Sequence, residues 1–312
     1  MYLTVSMNPT LQKILCFASI TIDRVNRSPR HRFDVAGKGL NVCRVLSQLG
    51  KPALHLTTLG GDLRPLFLEK SRQEGLSVHW VESGGPIRFC YTLIDEGAGS
   101  VTELIENAGA VGEGAEGRLR EAYEKLLADC GIVVIAGTKA PGFSDEIVPF
   151  MVRRAREKGR RVVLDLWGKD LLNSLPYNPD VIKPNLLEFA ATFAPELTSG
   201  GELPGEDAAA AAVKEAAIKE AIFEICGKLC AEYRCGIVLT RGAKPVWLFS
   251  DGVPDEYPVA PLPGAVNTTG SGDAFTAGLA SVLDAGLRAA VAEGARCGAL
   301  NARFLQVGTI RG

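Results

Sequence analysis

What this chain most plainly lacks is an excess of charge of either sign. Its 34 lysines and arginines stand against 36 aspartates and glutamates, a formal net charge of −2. No general attraction to nucleic acid or to an anionic membrane surface is therefore expected. Histidine is nearly absent. His31, His55 and His79 are the only three, far in sequence from the one region where cysteines gather, Cys226, Cys230 and Cys235. A closed zinc site needs four ligands, so these cysteines read as packing residues, with Cys226 and Cys230 on one helix face. The eight cysteines follow no disulfide-framework spacing, as expected of thiols in a reducing compartment. No secretory leader or membrane span is visible, and residues 1–6 run directly into what reads as a first strand. The expected location is the cytoplasm. There is no internal repeat.

What is present suits a large α/β core: 46% of the 312 residues are hydrophobic and 22% charged. Short β-branched runs at 132–135, 162–164, 181–182 and 237–239 predict buried parallel strands. Helical spacing near 39–50, 116–129, 144–158, 206–233 and 272–284 predicts the helices between them. That alternation predicts a doubly wound, mostly parallel sheet flanked by helices, with residues 1–312 as one domain. Residues 8–34 and 86–107, polar, alternating and interrupted by Gly and Pro, predict exposed antiparallel strands outside the main core. Residues 196–215, with Gly200-Gly201, Pro204-Gly205 and an alanine run, predict a surface loop entering a long helix.

The most informative segment is Asn267-Thr268-Thr269-Gly270-Ser271-Gly272-Asp273. Its glycines let backbone N–H groups turn toward a ligand, and a helix opening near Gly272 adds the positive end of its dipole, so phosphate charge is favoured there. Asp273 stands ready to deprotonate a hydroxyl. The order is neither a Walker A loop nor a dinucleotide fingerprint. Near the N-terminus, Arg24, Arg27, Arg30, Arg32, Lys38 and Arg44 face only Asp23 and Asp34. That density suits a small phosphorylated substrate, and equally a solvated basic face.

Residues 266–278 resemble the second signature of the PfkB (ribokinase-like) carbohydrate kinases, and Val35-Ala36-Gly37-Lys38-Gly39-Leu40-Asn41 resembles their first. The resemblance implies a ribokinase-like fold with 8–34 and 86–107 as a small β-lid, Asp273 as catalytic base, and Gly270, Ser271 and Gly272 as its anion hole. It further implies that Gly37, Lys38, Gly39 and Asn41 contact the sugar. Lys183-Pro184-Asn185-Leu186-Leu187-Glu188 is similar to the Asn-x-x-Glu motif that organises Mg²⁺ and phosphate-bound water, and also reads as a helix capping box. Thr240-Arg241-Gly242 resembles a nucleotide-contacting turn, with Pro245 replacing a usual glycine. Lys183, Asn185, Thr240, Gly242 and Asn301 are thereby implied to bind ATP, and Asn185 and Glu188 the metal through water.

Asn8-Pro9-Thr10-Leu11, Val25-Asn26-Arg27, Arg88 and residues 102–107 are similar to the 1-phosphofructokinase and tagatose-6-phosphate kinase subgroup. This implies a phosphorylated ketohexose as acceptor, with Arg27, Lys38 and Arg88 on its phosphate, Thr138 and Lys139 near the sugar, and a homodimer through the lid. Gln12 stands where that subgroup has an aspartate, and an amide cannot reproduce a carboxylate's paired acceptance. Two alternatives stay open: a kinase of an unphosphorylated sugar or nucleoside, and a sugar-phosphate sensor with reduced catalysis.

Overall fold

The computed structural model describes residues 1–198, 208–260 and 263–311, with side chains left out at 198 and 208–214. In chain order the first half runs β1 (Tyr2–Ser6), β2 (Thr10–Phe17), β3 (Arg30–Ala36), α1 (Lys38–Gln48), β4 (Ala53–Leu59), α2 (Arg64–Gln73), β5 (Val78–Glu82), β6 (Arg88–Asp95), β7 (Ser100–Ile105) and α3 (Ala115–Leu126). The second half runs β8 (Ile132–Ala136), α4 (Ile147–Glu157), β9 (Arg161–Asp165), α5 (Lys169–Ser174), β10 (Val181–Ile182), α6 (Leu186–Phe193), α7 (Ala208–Tyr233), β11 (Gly236–Arg241), β12 (Lys244–Ser250), β13 (Val253–Tyr257), α8 (Ser271–Ser281) and α9 (Leu287–Asn301).

Nine strands form the main sheet in the order β13-β12-β11-β10-β9-β8-β1-β4-β5. The pairs from β11 to β5 are parallel, and the edge hairpin β12–β13 is antiparallel. Strands such as β8, Ile132-Val133-Val134-Ile135-Ala136, are buried on both faces, as a sheet covered by helices on both sides requires. One face carries Leu3, Val133, Val162 and Ile237 against α3, α4, α6 and α7. The other carries Val134, Val163 and Val238 against α1, α8 and α9. The cysteines are all free and buried, with Cys226, Cys230 and Cys235 in the first layer.

The predicted doubly wound sheet is present, and the strands at 132–136, 161–165, 181–182 and 236–241 fall where their apolar runs stand. The small sheet, β3-β2-β6-β7, departs from the antiparallel expectation, because β2 and β6 pair in parallel over Thr10↔Arg88 to Phe17↔Asp95. Each leaves the same rim of the main sheet, β2 after β1 and β6 after β5, so the two set out in one direction. Nor is the sheet wholly exposed: Leu11 and Val35 are buried with Leu40, Leu59 and Phe67. The Gly/Pro-rich part of 196–215 lies outside the described residues at 199–207, and α7 begins at Ala208.

Between β1 and β4, His55 is fully buried with its ring nitrogens 2.9 Å from Thr4 Oγ1 and 3.2 Å from Ser6 Oγ. Gly39, in the first turn of α1, allows the helix to sit on this ring; a Cβ there would come 2.9 Å from His55 Cε1 and from the Val5 carbonyl oxygen. Burial, aided by the Arg44 charge, lowers the His55 pKa from 6.5 to about 3 despite its bond to Thr4. The folded ring therefore stays neutral where the unfolded ring binds a proton. Its contribution to stability is complete above about pH 6.5 and is lost as pH falls toward about 3. Urea unfolding across that window should show wild type losing stability more steeply than His55→Gln. Parallel slopes would contradict this account.

Candidate active site

The parallel strands diverge in connection between β1 and β8, since the chain proceeds from β1 toward β4 and β5 and later from β8 toward β11. Ligands of open α/β sheets bind outside the carboxyl ends of the strands at such a point. Here the crevice is bridged by Asn8 Nδ2, which donates to Thr138 Oγ1 at 3.3 Å. Lys38 opens α1 on one wall, close against Gly137 at the end of β8. Asp165 ends β9, and α8 points its N-terminus at the same place.

Gly270 caps α8 in a left-handed conformation, φ 83°. Asp273, in the first turn, is 8% exposed and accepts a hydrogen bond from Asn41 Nδ2 at 2.7 Å. Burial raises its pKa to about 6; Lys38, Asn41 and Lys183 pull it down, whereas Asp165 adds to the rise. The carboxylate is thus a stronger base than an exposed aspartate. Of the anion-hole amides, that of Ser271 is turned back onto the Thr268 carbonyl at 3.1 Å, which removes it from the expected set and leaves Gly270 and Gly272.

Four charges meet beneath that helix. Lys38 Nζ lies 3.4 Å from Asp165 Oδ1 and 3.1 Å from Glu188 Oε1. Lys183 Nζ lies 3.1 Å from Asp165 Oδ2, which also accepts from Thr276 Oγ1 at 2.6 Å. Burial opposes the charge on Asp165, but Lys183 and Lys38 outweigh it and hold the carboxylate below its usual range. Burial likewise works against Lys38, and Asp165, Glu188 and Asp273 more than restore its charge. Sequence reasoning missed Asp165. Its signal was an aspartate closing the apolar run Val162-Val163-Leu164, where an α/β sheet presents polar groups to a ligand.

Asn185 and Glu188 form a complete capping box at the start of α6: Asn185 Oδ1 accepts from the Glu188 amide at 2.8 Å, and Glu188 Oε2 from the Asn185 amide at 2.9 Å. Thr240 bridges to Asn185 in parallel, and Gly242 turns the chain at φ 63°. These residues share one rim. Asn301 does not reach the rim. It is fully buried, donating to the Thr269 carbonyl and Ser271 Oγ and accepting from the Thr309 amide. All its hydrogen-bonding groups are used inside the protein, so it holds the anion-hole loop instead of touching ATP. Asn267, also missed as an anchor, holds the same loop through Leu305 and the Thr269 amide.

On the sugar side, Gln12 is buried and donates to Thr92 Oγ1 at 2.6 Å. It pairs across the strands with Asp34, itself buried and held by Arg32 Nε at 2.7 Å. A second carboxylate at position 12 would face that one, and like charges directly opposite are destabilising. Arg88 begins β6 with its Nε buried and unpartnered, while Nη1 donates to the Glu106 carbonyl. Arg27 is not beside it. Arg27 is exposed in the loop at the far end of β2, next to Ser28, which bonds the Cys16 carbonyl. Six residues of strand, roughly 20 Å, separate that end from Arg88, so one chain does not bring both guanidinium groups to a single phosphate. The Lys139 charge is also taken, paired with Asp145 at 2.9 Å and with Asp170. Thr138 keeps its place in the crevice.

A buried carboxylate at a helix N-terminus, a lysine facing it and a second sheet at the crevice suit a phosphotransferase acting on a hydroxyl. Residues 11–309 match the model of the pfkB family carbohydrate kinases, and the chain belongs to that family. The family implies ATP as phosphate donor. The fold is shared with a possible 1-phosphofructokinase from Thermotoga maritima, at TM-score 0.81 and 21% identity over 98% of this chain and 93% of that one. It is shared too with phosphofructokinase-2 from Escherichia coli in complex with substrates and products, at TM-score 0.80 and 20% identity over 97% and 92%.

The backbone of Gly308 presses on Asn41, and Gly270 presses on Gly308: a Cβ at Gly270 would lie 2.6 Å from the Gly308 amide, and one at Gly308 2.8 Å from Asn41 Cα. Gly308 also sits at φ 62°. Gly308→Ala should destabilise the protein by about 2–4 kcal/mol, overpacking and backbone strain together, measured by urea unfolding. A loss below about 0.5 kcal/mol would show that this contact is slack.

Proposed function

We propose that this kinase transfers the γ-phosphoryl group of ATP in line to a primary hydroxyl of a phosphorylated ketohexose of the fructose 1-phosphate, fructose 6-phosphate or tagatose 6-phosphate type. The observation that carries the reading is Asp273, buried, oriented by Asn41 and facing Lys38 where the N-terminus of α8 opens into the crevice. In this reading Asp273 takes the hydroxyl proton as the new P–O bond forms, the old bond to the ADP oxygen breaks, and the Gly270 and Gly272 amides stabilise charge on the transferring group. Lys38 supplies a positive charge opposite Asp273. The Asn185, Thr240 and Gly242 rim takes the nucleotide phosphates, with Lys183 buried behind it on Asp165. A slot of about 350 Å³ beside α9, lined by Tyr257, Pro258, Ala295, Ala299 and Leu300 together with Arg296 and Arg303, suits the base.

Asn185 and Glu188 would hold Mg²⁺ through water. A cation held that way would keep much of its water shell and be carried chiefly by the phosphates; among the described residues no group of three or more His, Cys, Asp or Glu side chains could hold a metal ion directly. When bound, Mg²⁺ neutralises phosphate charge. The whole chain forms one kinase domain in this reading, with the small sheet as a lid that excludes water. A homodimer forms through that lid: β7 is exposed throughout, Leu104 and Ile105 included, and Ile22 and Val25 are exposed in the loop between β2 and β3. A tetrameric inhibited form is known for the Escherichia coli phosphofructokinase-2. No helix among the described residues is long and apolar enough to cross a membrane.

The phosphate of the acceptor falls to Arg88, whose buried Nε lacks a partner. A second reading, an unphosphorylated sugar, is favoured by the remoteness of Arg27 and the pairing of Lys139. A coupled ADP-release assay over phosphorylated and free ketoses and nucleosides separates the two. The expected result is a kcat/KM at least tenfold higher for a ketohexose phosphate, with Arg88→Ala raising its KM by about tenfold or more and leaving that of ATP within about twofold. Preference for a free sugar, or an Arg88→Ala effect equal on both substrates, would overturn the phosphorylated-substrate reading.

A further inference from the structure

We propose that Arg44 is a positioning residue for catalysis: by gripping the carbonyl end of the Asn41 side chain, it compels the amide end to face Asp273. The proposal rests on the reading of Asp273 as base. Arg44 lies one helical turn after Asn41 on α1 and is 2% exposed, an unusual place for a guanidinium, which is tolerated in an interior only when its donors are satisfied. Here they are. Nε donates to Glu74 Oε2 at 2.6 Å, Nη1 to Asn41 Oδ1 at 2.9 Å and to the Val307 carbonyl at 3.1 Å, and Nη2 to the Val35 carbonyl at 2.6 Å.

Guanidinium groups only donate and ionised carboxylates only accept, whereas a carboxamide has one end of each kind. Wedged between Arg44 and Asp273, the Asn41 amide has a single satisfied orientation, with Oδ1 on the arginine and Nδ2 on the base. A flip would set donor against donor and acceptor against acceptor. The same guanidinium holds β3 through Val35 and the C-terminal segment through Val307. Gln306 Nε2 adds bonds to Asp34 and Glu74, both at 3.2 Å. The amide is therefore fixed only while the small sheet and residues 306–308 are seated.

Hydrogen bonding to the ionised form favours it. The other groups facing Asp273 are Lys38 from α1, Lys183 after β10 and Asp165 from β9; none touches Arg44. Releasing the Asn41 amide should therefore move Asp273 toward a higher pKa without altering these charges. The test is the acid limb of kcat against pH, with ATP and the best acceptor from the assay above, for wild type, Arg44→Met and Arg44→Lys. Folding is checked first by circular dichroism and urea unfolding. Arg44→Lys keeps a cation for Glu74 but cannot fork to Asn41 and Val35 together, and it carries the test if Arg44→Met does not fold. The expected result is a kcat lower by about 10- to 100-fold, a sugar KM within about threefold, and an acid limb displaced upward by about one unit.

A purely architectural arginine would lower the active fraction and leave the limb where it is. A limb within about 0.2 units of wild type in a folded variant, whatever kcat does, overturns the proposal. A wild type lacking any acid limb near pH 6 removes the base reading itself, which separates that failure from this one.

Discussion

The site depends on one unfavourable burial, that of the Asp273 carboxylate. Taken out of water it would give up its charge, and a protonated carboxyl cannot accept a proton near neutral pH. Two lysines and one carboxamide offset that tendency, and Asp165 limits how far they can go by holding both lysines partly to itself. The resulting balance leaves Asp273 titrating near pH 6, between an exposed aspartate, too weak a base, and an isolated buried one, protonated at working pH. Removing any member shifts the others. Lys183 is buried and has no bulk solvent to fall back on, and Asp165 without it would keep only the longer contact to Lys38.

Much of the remaining architecture serves to keep those groups in register. The crevice between β1 and β8 sets Asn8, Thr138 and Lys38 at the rim, and α8 and α9 pack so closely that a Cβ at Gly278 would sit 2.6 Å from the Glu293 carbonyl oxygen. Residues 305–310 run behind the anion hole and touch α1, the small sheet and Asn301 in turn. This strap makes the loop before α8 part of the core instead of a free turn. On the acceptor side the charge is sparser than the sequence promises. Lys139 is paired with Asp145 and Asp170 and Arg27 is distant, which leaves Arg88, with its buried Nε unpartnered, as the candidate for an acceptor phosphate.

The sheet, its alternation with helices, and the helix start that carries Asp273 were legible because each has a local signal: apolar runs for buried strands, and glycines before an aspartate for a helix opening. The capping box of Asn185 and Glu188 was legible for the same reason. What escaped was set by partners distant in sequence. Asp165 acquires meaning only when Lys38 and Lys183 arrive from 127 residues before it and from the next strand. Asn301 resembled a nucleotide contact until Thr309 and Thr269 took its amide, and Arg27 and Arg88 looked like a pair until strand register put them at opposite ends of β2. The parallel pairing of β2 with β6 likewise followed from where the chain leaves the main sheet, which no short window of residues records.

The account's central claim is that Asp273 moves the proton and does not merely shape the pocket. Asp273→Asn removes the base while keeping nearly the same volume and leaving a group that Asn41 can still meet. The decisive measurement is its single-turnover rate by rapid quench, set beside calorimetric titration of ATP and the acceptor sugar. The account predicts a rate lower by about 10²-fold or more, within the range for loss of a general base, with both affinities within about threefold of wild type. A variant that keeps more than about a tenth of the wild-type rate, with ligands bound normally, would contradict it.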